Sequence, residues 1–286
     1  MKLSVTYMSG AGNLFSVIDN RKYRLNHARL VELSHIICQT KTFKTEGLLV
    51  LSNLENYAFK VDFYNPDGSF GVMCGNGARC AVVFSNKNNI FDIKYFQNEI
   101  PFFMCGRDYI GKYNDRNIII YFPPPIKIQS QISLKLENET QGEIEGTYID
   151  VGSQHFIVNL KKQAQWINVT IENFDLMNIA PNYRYHKLFA PKGVNFNIYD
   201  EIDKKTILLR TYERGVEGET GACGTGAIST VISSVMNNET EFPVTVIPTS
   251  KIPVIVDIVG TIDSIEQITL EGPAEFIGSD EIEIPD

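Results

Sequence analysis

The chain has 286 residues, 43% hydrophobic and 21% charged, enough apolar material for a large core and too little charge for a disordered chain. Its formal charge of -8, with no basic stripe, argues against a nucleic-acid partner. The first residues, MKLSVTYMSGAGNLF, lack the pattern of a secretory leader, and no apolar run approaches the ~18 residues of a membrane span, so a soluble, cytoplasmic protein is expected.

In chain order, Lys2–Tyr7 reads as a strand, Leu25–Cys38 has helical spacing, and Gly47–Ser52 is a second apolar strand. Residues 60–84, KVDFYNPDGSFGVMCGNGARCAVVF, pass from a strand through a glycine-bearing turn to Cys-Gly-Asn-Gly-Ala and on into a small-residue helix. Asn117–Phe122 is another strand, and Pro123, Pro124 and Pro125 then break the chain and mark the crossing into a second half. Strands are expected at Thr147–Val151 and Phe156–Leu160. Residues 206–235, TILLRTYERGVEGETGACGTGAISTVISSV, repeat the first block: strand, polar turn, Cys-Gly-Thr-Gly-Ala, buried helix. Val244–Ile247, Ile252–Ile258 and Gln267–Glu271 complete the expected strands.

The repeat predicts an α+β fold of two pseudo-symmetric domains, mixed strands around one buried helix in each, packed face to face across a cleft. Cys74 and Cys223 stand 149 residues apart, and Asn65 and Arg214 each precede their cysteine by nine. The remaining cysteines, Cys38, Cys80 and Cys105, fit neither a disulfide framework nor a zinc pattern and read as small buried hydrophobes. No metal site and no cofactor is expected.

A cysteine at the first turn of a helix faces unpaired N–H groups and the positive end of the helix dipole, which stabilise its thiolate below the ordinary pKa of ~8.5. The same N–H groups form a carboxylate site. Two such copies suit racemisation or epimerisation: one thiolate removes an α-proton, the opposite thiol delivers one, and the N–H donors meet the enolate-like charge.

Three blocks carry a resemblance to a known family: SGAGNLFSVIDN (9–20), FYNPDGSFGVMCGNGARC (63–80) and TYERGVEGETGACGTGA (211–227), with GSQH (152–155) and VNF (194–196) in order between them. Together they resemble the diaminopimelate epimerase family. The resemblance implies two strand-wrapped domains, 1–122 joined by 275–286, and 123–274. It also implies cofactor-independent interconversion of LL- and meso-diaminopimelate, on the route to lysine and peptidoglycan, by a homodimer. By the same resemblance Cys74 and Cys223 are the base and acid. Gly75, Asn76, Gly224 and Thr225 cradle the reacting carboxylate, and Asn13, Asn65, Asn195 and Arg214 hold the substrate, the last two at its distal end. Glu213 and His155 are the polar pair beside the reacting centre.

The chain departs from the family pattern at Gly152-Ser153-Gln154-His155, where Gly-Asn-Pro-His is common, at Leu14 in place of Asp, and in a shortened loop at 42–47. These departures favour, as alternative, an amino-acid racemase of the same fold with another substrate. A cysteine hydrolase using Cys74 with His155, and a non-catalytic anion-binding protein, are the other readings. Residue by residue, Arg214 could instead pair with Glu213, Glu217 or Glu219, His155 could be structural, and Asn65 could serve its turn. Asn195, a polar amide in an apolar run, needs a partner.

Overall fold

The computed structural model describes residues 2–40, 42–71, 73–91, 96, 98–136 and 143–284. Chain contacts divide it into two units, Met1–Phe122 with Glu271–Asp286, and Pro123–Leu270.

The first unit contains β1 (Lys2–Gly10), β2 (Asn13–Asp19), α1 (Asn20–Tyr23), α2 (His27–Cys38), β3 (Gly47–Ser52), β4 (Phe59–Tyr64), α3 (Gly75–Lys87), β5 (Ile100–Met104), β6 (Arg107–Asn114) and β7 (Asn117–Phe122). The second contains β8 (Lys127–Lys135), β9 (Glu143–Asp150), β10 (Gln154–Asn159), α4 (Leu176–Arg184), β11 (Asn195–Asp203), β12 (Thr206–Glu213), the two-residue β13 (Gly218–Glu219), α5 (Gly224–Met236), β14 (Val244–Ile247) and β15 (Val254–Thr261). The chain leaves the second unit within β16 (Ser264–Pro273), and β17 (Glu275–Glu283) pairs antiparallel with β1.

The two units repeat one wiring. In the first, the β1–β2 hairpin is followed by a parallel pair β2–β3, an antiparallel pair β3–β4, a parallel pair β4–β5 and an antiparallel pair β5–β6. In the second, β9–β10 are antiparallel, β10–β11 parallel, β11–β12 antiparallel, β12–β14 parallel and β14–β15 antiparallel. Each parallel step needs a crossover, and helices occupy the same ones: α2 and α4 the first, α3 and α5 the second. This is the pseudo-symmetric α+β architecture that the repeated blocks predict.

α3 packs against β1, β2, β3, β4 and β7, and α5 against β9 to β12, β14 and β15, so each is ringed by strands. That explains their composition. Every residue of α5 from Gly224 to Ser234 is buried, and a helix enclosed on all sides needs small residues where strands cross closely. Leu3, Val5, Leu33, Ile37 and Val50 form a core beneath α2, and Phe156, Phe196, Tyr183 and Trp166 form one beside α4.

β3, β7 and β14 have the bounds the sequence predicts, whereas β10 starts two residues earlier and includes Gln154 and His155. Cys38 and Cys80 are buried as expected, but Cys105 is only partly so. It sits at φ 50° in the turn between β5 and β6, a position chosen by the turn and not by the core.

Candidate active site

Cys74 is the N-cap of α3 and Cys223 the N-cap of α5, with backbone angles of -120°, 105° and -118°, 108°. The two Cys-Gly-X-Gly-Ala segments thus form the same structure twice, an extended cysteine handing the chain into a buried helix. Cys74 Sγ accepts the Gly77 N–H at 3.4 Å. Cys223 Sγ lies 3.6 Å from Thr225 Oγ1. A Cβ at Gly77 would stand 3.4 Å from Cys74 Sγ and one at Gly226 3.2 Å from Cys223 Sγ, so the glycine of the second turn position keeps space beside each sulfur.

Around Cys74 the β1–β2 hairpin is seated directly on the helix start. Its turn runs through Ala11 at φ 53° and Gly12 at φ 97°, the left-handed pair of a tight two-residue turn. A Cβ on Gly10 would sit 2.5 Å from the Asn76 carbonyl oxygen, so only glycine permits this approach. The seat is fastened by a buried polar chain. Arg79 Nη2 donates to Asn76 Oδ1 at 2.8 Å, Asn76 Nδ2 donates to Asn13 Oδ1 at 2.6 Å, and Asn13 Nδ2 donates to the Glu46 carboxylate. Burial raises the Glu46 pKa and lowers that of Arg79, fully enclosed in α3, to about 10. Asn65 closes the turn after β4, its Nδ2 donating to Ser69 Oγ at 2.7 Å and its backbone pairing with Ser69 and Gly68.

In the second unit His155 and Thr225 hold the places that Asn13 and Asn76 hold in the first. His155 Nε2 is 3.0 Å from Thr225 Oγ1, and its Nδ1 is 3.1 Å from Asn197 Nδ2. Burial lowers the His155 pKa to about 3, outweighing the Asn197 hydrogen bond that raises it and aided by the nearby Arg214 cation, so the ring is neutral. Both nitrogens are engaged inside this unit, which removes the imidazole that a Cys74–His155 hydrolase would need.

Asn195 finds the partners its setting demands. Its Nδ2 donates to Ser153 Oγ and to the Gln154 carbonyl, both at 2.9 Å, and its Oδ1 accepts the Arg214 backbone N–H at 2.8 Å. Arg214 Nη1 donates to Gln154 Oε1 at 2.8 Å, and Gln154 Nε2 donates to Asp150 at 2.9 Å. The acidic neighbours proposed for Arg214 are taken elsewhere: Glu217 by Arg184, Glu219 by Arg210, and Glu213 accepts the Thr220 hydroxyl. Burial lowers the Arg214 pKa, with repulsion from Arg184 second. Asn197 and Arg79 were missed from sequence. Asn195 and Asn197, two apart in an apolar strand, point to one face, and that alternation was the available signal.

The diaminopimelate epimerase family model matches residues 5–101 and 147–257. The chain belongs to the diaminopimelate epimerase family. It is 34% identical to the diaminopimelate epimerase of Aquifex aeolicus, over 80% of each chain. It is 30% identical to that of Flavobacterium psychrophilum, over 94% of this chain and 95% of the relative. Among solved structures, a hydroxyproline epimerase from Agrobacterium vitis shares the fold with a TM-score of 0.72 at 12% identity, covering 100% of this chain and 93% of its own. A PhzF-family phenazine biosynthesis protein from Bacillus anthracis does so with 0.74 at 13% identity, covering 99% and 100%. Both family segments span a cysteine block. Among the described residues no helix is long and apolar enough to cross a membrane, and no group of three or more His, Cys, Asp or Glu is placed to hold a metal ion.

Proposed function

We propose that this family member interconverts LL- and meso-diaminopimelate, without cofactor, by proton transfer between two thiols. The observation that carries the reading is the duplicated helix cap, with Cys74 and Cys223 in the same backbone conformation, each opening a buried helix whose first-turn N–H groups have no acceptor within the helix. An α-proton beside a carboxylate is very weakly acidic, so the charge that develops on deprotonation must be met by fixed donors. The N–H groups at Gly75–Asn76 and Gly224–Thr225, at the positive ends of two helix dipoles, suit that task. One cysteine, as thiolate, takes the proton from one face of the α-carbon, and the other, as thiol, returns one to the opposite face. Their roles exchange with direction.

At the far end of the substrate, Arg214 supplies a cation for the distal carboxylate. Asn195, whose amide hydrogens are both used by the protein, holds Ser153 and Arg214 in place. Ser153 Oγ accepts from Asn195, leaving its own hydrogen for an acceptor on the substrate. Asn65, Asn13 and Glu213 complete the set that the family pattern assigns to substrate binding. A homodimer in the cytoplasm belongs to the same reading, and light scattering on the purified protein measures the assembly.

The decisive experiment incubates the protein with LL-diaminopimelate in D₂O and follows deuterium at the α-carbon beside epimerisation. Exchange and epimerisation are expected, and Cys74→Ala or Cys223→Ala should each cost at least about 100-fold in kcat, as loss of a general acid or base does. Ser153 and Gln154 favour a second reading, a racemase for another amino acid. Exchange with another amino acid and none with diaminopimelate would establish it in place of the first.

A further inference from the structure

We propose that Asn197 is a positioning residue for Cys223: it fixes buried His155 as the Nε2–H tautomer, which makes the Thr225 hydroxyl a donor to the cysteine sulfur. Asn197 is fully buried, and its amide has one possible orientation. Its Nδ2 faces two backbone carbonyls, Phe156 at 3.2 Å and Asn195 at 3.1 Å, which only accept, and its Oδ1 takes the Thr211 hydroxyl at 3.0 Å. The same Nδ2 faces His155 Nδ1 at 3.1 Å. The two amide hydrogens serve the two carbonyls, one of them shared toward the ring, and a ring N–H cannot be placed against an amide nitrogen that only donates, so Nδ1 carries the lone pair. A neutral imidazole has one proton, and here it is on Nε2.

Nε2–H then donates to Thr225 Oγ1 at 3.0 Å. With that lone pair occupied, the threonine hydrogen turns to another acceptor, and Cys223 Sγ is 3.6 Å away, an O–H···S separation. Every donor in the series Asn197, His155, Thr225 thus points toward the sulfur. The register neighbours of His155 on either side, Ile149 and Asn195, are uncharged, as are Thr225 and Asn197; burial opposes protonation of the ring, the Asn197 contact favours it, the Arg214 cation opposes it, and burial is the largest of the three. In the first unit the corresponding series runs the other way, from Arg79 through Asn76 and Asn13 to Glu46, and Cys74 takes a backbone N–H instead. The two cysteines are therefore prepared by different donors.

The importance of this for turnover rests on the two-thiol reading above, but the tautomer and the sulfur contact can be measured without any substrate. The ring nitrogens of His155, resolved by ¹⁵N NMR of the whole protein from about pH 5 to 8, should show a protonated Nε2 and an unprotonated Nδ1 throughout, since burial holds the ring neutral across the range where histidine ordinarily titrates. Asn197→Asp puts an acceptor against Nδ1, draws the proton there, and turns the Thr225 hydroxyl away from sulfur. Iodoacetamide labelling at pH 7, read peptide by peptide with Cys74 as internal reference, should then find Cys223 about threefold slower, because a sulfur that loses an O–H donor is less often a thiolate, partly offset by the greater nucleophilicity of that thiolate.

The pair Thr225→Ser and Thr225→Val tests the same contact should the Asn197 variant fold poorly. Serine should preserve the labelling rate and valine lower it by the same factor. A protonated Nδ1 in the native protein, or equal Cys223 labelling in the serine and valine variants, overturns the proposal. Absence of deuterium exchange in the native protein overturns the two-thiol reading and leaves these two readouts unaffected.

Discussion

His155 is neutral because it is buried, and this sets a pH dependence. Its pKa falls from an ordinary 6.5 to about 3 on folding, so between those values the unfolded chain binds more protons than the native one. The histidine's contribution to stability is complete above pH 6.5 and declines as pH falls toward 3, by up to about 1.4 kcal/mol per unit. Urea unfolding at pH 7, 6 and 5 should show this loss, and His155→Gln should flatten the slope in the upper part of that range, where carboxylates are still ionised. An unchanged slope would mean that the ring titrates in the native state as it does in the unfolded chain. The residue itself was legible in sequence through its place after Gly152-Ser153-Gln154. Its neutrality was not, because the burial that causes it is supplied by elements packed around it from elsewhere in the chain.

At the scale of elements, the two helix starts look interchangeable in sequence and are not equally tolerant. A methyl on Gly77 would meet the far end of Leu49 at 3.0 Å, an atom on a flexible chain that can turn aside. One on Gly226 would meet Asn197 Oδ1 at 2.7 Å, on an amide whose nitrogen faces three acceptors and whose oxygen takes the Thr211 hydroxyl. Gly226→Ala should therefore destabilise by about 1–3 kcal/mol and reduce kcat, while Gly77→Ala should cost less on both counts. Thermal unfolding and steady-state rates of the two variants decide it, and equal losses would contradict the difference in packing. The helices and most core strands were readable from periodicity and from the repeated Cys-Gly-X-Gly-Ala. α4 and the strands β2, β5, β6, β8 and β11 were not delimited in advance, because their limits depend on pairing with distant segments. The alternative of an acidic partner for Arg214 is displaced by the same cause: Glu217 pairs with Arg184, Glu219 with Arg210, Glu213 accepts the Thr220 hydroxyl, and Gln154 reaches Arg214 from β10.

On the scale of the whole molecule, the repeat made the doubled wiring visible, whereas the final strand belongs to no repeated motif. β17 pairs with β1 along eight positions, from Lys2 with Glu283 to Ser9 with Glu275. Removing 275–286 should release β1 from its outer partner and loosen the hairpin that seats Asn13 on α3. Hydrogen exchange should then accelerate through β1 and β2 and remain slow in β10, β11 and β12. Uniform acceleration in both units would show that the strand stabilises more than its own unit.

That same pairing sets an order of assembly as the chain is synthesised. Everything the second unit needs lies between Pro123 and Leu270, while the first unit waits for residues from Glu271 onward. On the ribosome the later-made half can finish first, and the half that emerges first must remain open at one edge until the segment from Glu271 onward has emerged. The exposed β1 edge during that interval is where a chaperone or a misfolding partner would find this protein.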